Sequence, residues 1–185
     1  PLFIFMASML EKSGVIEEVF DVAYKWLGRI PGGLAVATVV ASTVLAAMVG
    51  VIGAAVVTMA LVALPSMLRR GYSPVLAVGT VMAGGTLGIL IPPSVLAIVY
   101  GLVANQSVGE LYLGSVFPGL VLSGLYILFS VGYALLNPKA APRLSPEETP
   151  TWSERWRALR SIWSPLVLIF LVLGTIFLGL AAPTE

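Results

Sequence analysis

Two long hydrophobic runs occupy the middle of the chain. Residues 31–68 contain no charged side chain, and residues 71–138 contain only Glu110. A helix crosses the bilayer core, about 30 Å thick, with roughly 20 apolar residues, so each run is too long for a single crossing. Backbone that leaves the helix at that depth is tolerated only where protein or a wet cavity surrounds it, because lipid offers no hydrogen-bond partner. The pattern predicts helices that fold back or break inside a membrane, which is typical of transporters.

The first run predicts a helical hairpin. Residues 50–53 interrupt it with two glycines, Arg29 precedes it, and Arg69 and Arg70 follow its second arm. Basic residues at both mouths place the two ends on one face, which the positive-inside rule makes cytoplasmic. Each arm holds roughly 15 to 18 apolar residues, the short limit for a full span. Since the tip has no polar side chain to hold it in water, we expect a re-entrant hairpin with a buried tip.

The second run predicts a discontinuous helix. Residues 74–105 carry no charge but contain two adjacent glycines, Gly84 and Gly85, and two adjacent prolines, Pro92 and Pro93. Glycine loosens a helix, while proline lacks the backbone amide and clashes with the preceding turn. We expect two half-helices joined by an unwound link. Close helix packing is the alternative explanation for the glycines, because small residues are favoured at helix interfaces in membranes.

Amphipathic segments flank these runs. Residues 15–30 place apolar side chains at three- and four-residue spacing, which predicts an interfacial helix or, alternatively, an ordinary surface helix packed on a neighbour. Glu110 is predicted to start a helix on the far side of the membrane. Further along, arginines alternate with tryptophans in a pattern that suits anionic lipid headgroups and the aromatic belt. These residues are Arg155, Trp156, Arg157, Arg160 and Trp163.

The predicted fold class is an all-α polytopic membrane protein, and we expect the chain to be an internal piece of a longer protein. It divides into six predicted segments: residues 1–30, the end of a transmembrane helix and an interfacial helix; 31–70, the re-entrant hairpin; 71–107, the discontinuous transmembrane helix; 108–137, a short helix and a transmembrane helix; 138–160, a cytoplasmic linker and an interfacial helix; and 161–185, a transmembrane helix.

Composition supports this class and excludes others. The chain is 58% hydrophobic and 10% charged, with a mean hydropathy of +1.01, values typical of a polytopic membrane protein. Its net charge of +1 comes with basic residues in short clusters, which argues against nucleic-acid binding. The sequence contains no Cys and no His, so thiol and imidazole chemistry and the usual zinc or haem ligands are absent. We predict a protein that is not an enzyme and holds no cofactor.

The two breaks predict a binding site where they meet near the bilayer midplane. Unwound carbonyls there suit a cation, and the exposed amides of half-helices suit an anionic group. Nearby hydroxyls would add oxygen ligands for a hard ion such as sodium. The alternative is that each hydroxyl bonds back to its own helical turn. The hydroxyl residues are Ser42, Thr43, Thr58, Thr80, Thr86 and Ser94.

Several motifs resemble a known transporter family. They read LGRIPGGLA at residues 27–35, ALPSMLRRGY at 63–72 and AGGTLGILIPPS at 83–94, and they continue through YG at 100–101 and FPGL at 117–120. In this order they are similar to the large membrane subunit of tripartite ATP-independent periplasmic (TRAP) transporters, about one inverted repeat of it. The resemblance implies one half of an inverted-repeat, elevator-type, sodium-coupled importer in the cytoplasmic (inner) membrane of a bacterium or archaeon. It also implies a small four-helix membrane partner and a periplasmic binding protein that delivers an organic acid resembling a C4-dicarboxylate.

The resemblance also implies which positions form the site. Residues 50–53 become the tip of the first hairpin and residues 84–94 the unwound link, and together they frame a sodium site. Many family members have a serine-rich tip, whereas residues 48–53 contain no hydroxyl, so backbone carbonyls would dominate here. The predicted sodium and substrate residues are Ser42, Thr43, Gly50, Val51, Gly53, Gly84, Gly85, Thr86, Gly88, Pro92, Pro93 and Ser94.

Two other functions stay open at this point. A one-component sodium and anion symporter of similar architecture would need no binding protein. A channel subunit would use the broken helices as a filter, although the chain shows no pore-lining pattern. The charge that neutralises an anionic substrate comes either from helix ends or from residues outside this sequence, because neither hydrophobic run contains Lys or Arg.

Overall fold

The computed structural model describes Phe5, Met9 and residues 13–142 and 152–177. All regular secondary structure in these residues is α-helical, which confirms the predicted all-α class. The predicted transmembrane tail in residues 1–10, most of the cytoplasmic linker and the end of the last predicted span lie outside the described residues. The described helices are α1 Val15–Leu27, α2 Gly33–Val49, α3 Ile52–Arg69, α4 Pro74–Leu90, α5 Val95–Ala104, α6 Val108–Leu136, α7 Trp152–Ser161 and α8 Trp163–Phe177.

Three helical stretches among the described residues are long and apolar enough to cross a membrane. They are α3, the stretch Pro74–Ala104 that contains α4 and α5, and α6. Helix α2 is equally apolar but has only 17 residues. The prediction of a polytopic membrane protein is therefore consistent with the helices that the structure describes.

Helices α2, α3 and α4 form the centre of the molecule. Helix α2 is hydrophobic on all sides, and most of its residues are buried, so it is surrounded by its neighbours. Fully buried alanines at Ala35 and Ala37 of α2, Ala63 of α3 and Ala77 of α4 allow the helix backbones to approach closely. The core therefore combines small residues, which bring the helix backbones together, with large buried side chains such as Leu45, Met59 and Met67.

Helices α2 and α3 form the predicted hairpin. Helix α2 ends at Val49, and α3 begins at Ile52. The hairpin tip is therefore Gly50 and Val51, whereas Gly53 lies in the first turn of α3. The depth of this tip in the membrane stays a prediction.

Both mouths of the hairpin lie at the same end of the molecule, as the basic residues indicated. The Leu34 amide at the start of α2 donates to the hydroxyl of Tyr72, which follows α3, at 3.2 Å. Burial raises the pKa of Tyr72 above its ordinary value near 10, so this hydroxyl stays neutral. At the end of α3, the guanidinium of Arg70 donates to the hydroxyl of Tyr24 on α1 and lies 4.5 Å above its ring.

The break in the discontinuous helix is shorter than the sequence suggested. Helix α4 continues through Gly84 and Gly85 to Leu90, and only residues 91–94 are non-helical before α5. These four residues are the interhelical link, and the prediction that Gly84 to Leu90 would be unwound is wrong.

Close packing explains why the two glycines stay helical. A Cβ at Gly84 would lie 2.7 Å from the Cβ of Ser42 on α2, and a Cβ at Gly85 would lie 3.2 Å from the Cβ of Val56 on α3. Both distances are shorter than an ordinary van der Waals contact. The two glycines therefore bring α4 against both arms of the hairpin.

The segment 108–137 is also simpler than expected. It forms the single 29-residue helix α6 instead of a short helix followed by a span. Pro118 removes only the hydrogen bond to the Gly114 carbonyl, so the helix continues through it. The Ser107 hydroxyl accepts from the Glu110 amide at 3.4 Å, which confirms Glu110 as a residue of the helix start.

Helix α1 is amphipathic as predicted, but it ends at Leu27 and packs against neighbours. Its buried face includes Ile16, Val19, Phe20 and Val22. This face contacts α2 and α7. The result fits the alternative of a helix packed on a neighbour, and its position at the membrane interface stays a prediction.

Candidate functional site

The structure brings the hairpin tip into direct contact with the interhelical link. The Val95 amide, at the start of α5, donates to the Gly50 carbonyl at 3.3 Å. Gly50 has a φ of +63°, and a Cβ at this position would fall on the carbonyl oxygen of Pro93. Only glycine fits both the left-handed backbone and the close approach.

A cavity of about 260 Å³ lies beside this contact. Four helix ends meet around it: the end of α2 at Gly50, the beginning of α3, the end of α4 and the beginning of α5. No charged side chain lines it. The lining residues are Gly50, Val51, Ile52, Gly53, Gly88, Ile89, Ser94, Val95 and Leu96.

The end of α4 supplies carbonyl groups with no helical donor. In a continuous helix, the amides of residues 92 and 93 would donate to the carbonyls of Gly88 and Ile89. Pro92 and Pro93 have no amide hydrogen, so these two carbonyls receive no such bond. They also lie at the negative end of the α4 dipole. The combination of free oxygens and negative potential suits a cation.

The beginnings of α3 and α5 supply the opposite polarity. The first amides of a helix have no partner within the helix and carry its positive end. Ile52, Gly53 and Leu96 occupy such positions and line the cavity. The Ser94 hydroxyl caps α5 by accepting from the Ala97 amide at 3.4 Å. One small cavity is thus bordered by groups that suit a cation and groups that suit an anion.

Tyr112 contacts the interhelical link through a hydrogen bond, and no sequence pattern singles it out. Its side chain is completely buried, and its hydroxyl donates to the Ser94 carbonyl at 3.3 Å. In the sequence, the only indication was that Tyr112 is a tyrosine near the start of an apolar segment. Its hydrogen-bond partner, the Ser94 carbonyl, lies just before α5, so the residues around Tyr112 do not reveal the contact.

Most of the predicted hydroxyl ligands lie outside the cavity. Thr43 donates to the Val39 carbonyl at 2.8 Å, and its hydroxyl lies 2.7 Å from that of Ser123 on α6. Thr86 bonds to the Ala83 carbonyl at 2.7 Å and lies 3.2 Å from the hydroxyl of Tyr126. These threonines bond to their own turns and to α6, so the alternative explanation holds for them.

Ser42, Gly84 and Gly85 also lie outside the cavity. Ser42 is buried where α2 meets Gly84, and its hydroxyl has no hydrogen-bond partner in the part of the chain that the structure describes. Some of the predicted site residues therefore lie at the cavity, and the others lie where helices pack against each other. Those at the cavity are Gly50, Val51, Gly53, Gly88 and Ser94, with Pro92 and Pro93 in the adjoining link.

A larger groove of about 590 Å³ lies between α4 and α6. Its lining is mostly apolar, and the hydroxyls of Thr80 and Ser130 bond to their own helices at 2.7 and 2.8 Å. Val75 and Leu76 in the first turn of α4 line it, but it lies away from the contact between the hairpin tip and the interhelical link. The smaller cavity is therefore the better candidate for an ion or a polar substrate. Within the described residues, no cluster of His, Cys, Asp or Glu has the arrangement of a metal site.

Comparison with known proteins identifies transporter relatives. Residues 1–185 match the family model described as "Tripartite ATP-independent periplasmic transporter, DctM component". The chain is 36% identical to the C4-dicarboxylate TRAP transporter large permease protein DctM of Vibrio cholerae serotype O1, over all of this chain and 40% of that protein. It is 37% identical to the protein of the same name from Pseudomonas aeruginosa, over all of this chain and 42% of that protein.

A relative with a different substrate matches over the same extent. The ectoine TRAP transporter large permease protein TeaC of Halomonas elongata is 31% identical, over all of this chain and 42% of that protein. The chain thus spans about two fifths of the length of these curated relatives.

Proposed function

Because the chain belongs to the DctM component family of tripartite ATP-independent periplasmic transporters, we propose that it forms part of the membrane permease of a sodium-coupled importer of organic acids. The observation that carries this proposal is the meeting of four helix ends around one uncharged cavity. A site of this kind binds ions through backbone groups, which need no charged side chain in the bilayer.

Sodium binds at the end of α4 in this proposal. It is a hard cation that prefers oxygen ligands, and the carbonyls of Gly88 and Ile89 have no helical donor. The Gly50 carbonyl lies at the same cavity but already accepts from Val95. Hydroxyl ligands are not required, which accounts for a tip without serine.

A carboxylate of the substrate binds at the beginnings of α3 and α5. The free amides of Ile52, Gly53 and Leu96 would donate to it, and both helix dipoles favour negative charge there. Sodium and the carboxylate then attract each other across the cavity. Each ligand raises the affinity for the other, and this reciprocal effect is the physical basis of coupled transport.

The proposal extends to the assembled transporter. The names of the relatives mention C4-dicarboxylate and ectoine, both small molecules that carry carboxylate groups. We therefore assign a C4-dicarboxylate-like organic acid as the substrate class. A small membrane subunit and a periplasmic binding protein complete the transporter in the cytoplasmic membrane, and an elevator movement carries the hairpin and the broken helix between the two sides.

Uptake by proteoliposomes tests this function. The complete permease that contains this chain is reconstituted with its small subunit and supplied with ¹⁴C-succinate. We expect uptake only when an inward sodium gradient and the cognate binding protein are both present. Sodium-driven uptake without the binding protein would identify a one-component symporter, and flux insensitive to the gradient would identify a channel.

A further inference from the structure

Arg155 on α7 is a buried cation whose hydrogen bonds are incomplete. Its side chain is only 7% exposed, and its Nε and Nη2 atoms find no hydrogen-bond partner in residues 13–142 or 152–177. The neighbouring arginines Arg157 and Arg160 are exposed. A buried guanidinium without an acceptor is strongly destabilising, so this arrangement calls for an anionic partner.

Aromatic rings fix the guanidinium between α1 and α7. Its Cζ atom lies 5.5 Å from the ring centre of Trp152. Trp26 of α1 meets Trp152 and Trp156 edge to face, at 6.2 and 6.1 Å between ring centres. The Trp26 indole N–H donates to the Arg155 carbonyl at 3.4 Å. These contacts position the side chain but use neither Nε nor Nη2.

The two unpartnered atoms form one edge of the guanidinium. Nε and Nη2 point the same way and are spaced to donate to two oxygens of one phosphate or carboxylate. The acidic residues of α1 are Glu17, Glu18 and Asp21, all of them exposed, and none of them accepts from this edge.

We propose that this edge of Arg155 binds the phosphate of an anionic phospholipid at the junction of α1 and α7. Three tryptophans surround the site, and Trp152 and Trp156 are 64% and 61% exposed. Indole rings prefer the headgroup level of a bilayer, and basic pockets between helices bind phospholipid headgroups there.

The helix that follows places this junction at the edge of the membrane. The apolar helix α8 begins at Trp163, directly after α7, so the chain enters an apolar segment beside the site. Arg157 and Arg160 on the exposed side of α7 add positive potential, which attracts an anionic headgroup. The guanidinium lies over the Trp152 ring, and binding of a phosphate in this proposal requires the exposed Trp152 side chain to move aside. The site is independent of the proposed transport function.

Lipid retention in native mass spectrometry tests the proposal. The complete permease is exchanged into detergent and loaded with phosphatidylglycerol or with phosphatidylcholine of the same acyl chains. Loss of a charge-assisted pair of hydrogen bonds predicts that Arg155→Gln lowers phosphatidylglycerol retention by about ten-fold. Arg157→Gln is the matched control: it removes the same charge from an exposed position of the same helix and weakens only the general positive potential, so we expect a smaller loss of retention than in Arg155→Gln.

Arg155→Lys distinguishes the effect of the positive charge from that of the paired N–H groups. It also provides a second variant if Arg155→Gln does not fold. Lysine keeps the charge but lacks the paired N–H edge, so we expect retention between that of the wild type and that of Arg155→Gln. If Arg155→Gln does not fold, the comparison of Arg155→Lys with the wild type decides, with a loss of retention as the expected result.

Three results would overturn the proposal. The first is equal loss of phosphatidylglycerol in Arg155→Gln and Arg157→Gln. The second is full displacement of the lipid by glycerol 1-phosphate, which would make a free phosphate compound the ligand. The third concerns the double variant Glu147→Gln/Glu148→Gln. If it loses as much thermal stability as Arg155→Gln, and if neither variant changes lipid retention, the partner of Arg155 is a carboxylate of the chain itself.

Discussion

Gly50 joins the hairpin tip to the interhelical link through its backbone. Its carbonyl accepts from Val95, and its left-handed φ leaves the Pro93 carbonyl oxygen where a side chain would lie. A non-glycine residue at this φ costs roughly 1–2 kcal/mol before any clash is counted. The clash is with backbone, which cannot move aside as a flexible side chain does.

Gly50→Ala should therefore separate the tip from the link and abolish most sodium-dependent uptake. We expect a reduction of about ten-fold or more, because a shift of roughly an ångström at a binding site has effects of this size. Gly124→Ala is the control: it lies on α6, does not line the cavity, and a Cβ there meets no atom within 4 Å. Equal uptake by the two variants would show that the hairpin tip is not part of the site.

Tyr112 acts on the site through the Ser94 carbonyl. Tyr112→Phe keeps the buried ring and removes only the hydrogen bond of its hydroxyl, a loss of about 1 kcal/mol. We expect the sodium concentration for half-maximal uptake to rise severalfold while the maximal rate changes little. Tyr100→Phe is the control, because Tyr100 is 59% exposed. A lower melting temperature with unchanged sodium dependence would reduce Tyr112 to a packing residue.

At the scale of elements, adjacent prolines and adjacent glycines had different predictive value. Pro92 and Pro93 end α4 through local covalent chemistry, since they lack amide hydrogens, and the break was predictable from them alone. Gly84 and Gly85 fit an unwound helix and a closely packed one equally well. Ser42 and Val56 decide between these possibilities, and both lie on other helices. The hairpin and the break could thus be predicted, but the extent of the link could not.

Gly85→Ala tests the packing role of the glycine pair. Its Cβ would overlap the Val56 side chain, and overpacking of this kind costs about 1–3 kcal/mol. Gly79→Ala on the same helix α4 meets no atom within 4 Å and should be neutral or slightly stabilising. Thermal unfolding of the complete permease in detergent measures both.

A second substitution identifies the contact responsible. Val56→Ala removes the Cγ2 atom, which would come nearest to the new Cβ, and keeps only the Val56 Cβ at 3.2 Å, so the Gly85→Ala/Val56→Ala pair should recover part of the lost stability. Strictly additive losses in the double variant would contradict a direct contact between these positions.

At the scale of the whole molecule, the hairpin, the broken helix and α6 form one packed unit. Val39, Ala46, Leu87 and Ile91 bury a shared cluster against α6. Polar contacts tie the same helices together, with Thr43 bonded to Ser123 at 2.7 Å. These contacts join α2, α4 and the interhelical link, all of which border the site, to α6. A movement that carries the site across the membrane would therefore have to carry α6 as well.

A disulfide between α2 and α6 tests whether this unit moves as one body. Thr43→Cys with Ser123→Cys replaces two hydroxyls that lie 2.7 Å apart, so the two new sulfurs lie close together, and the extent of oxidation is measured before uptake. The chain contains no cysteine, and any cysteine elsewhere in the complete permease is replaced first. We expect the oxidised variant to keep most of its sodium-dependent uptake, because the bond joins parts that do not move relative to each other. Uptake that stops on oxidation and returns on reduction would instead place α6 in the static part of the transporter and shift the sliding surface to the α2–α6 contact.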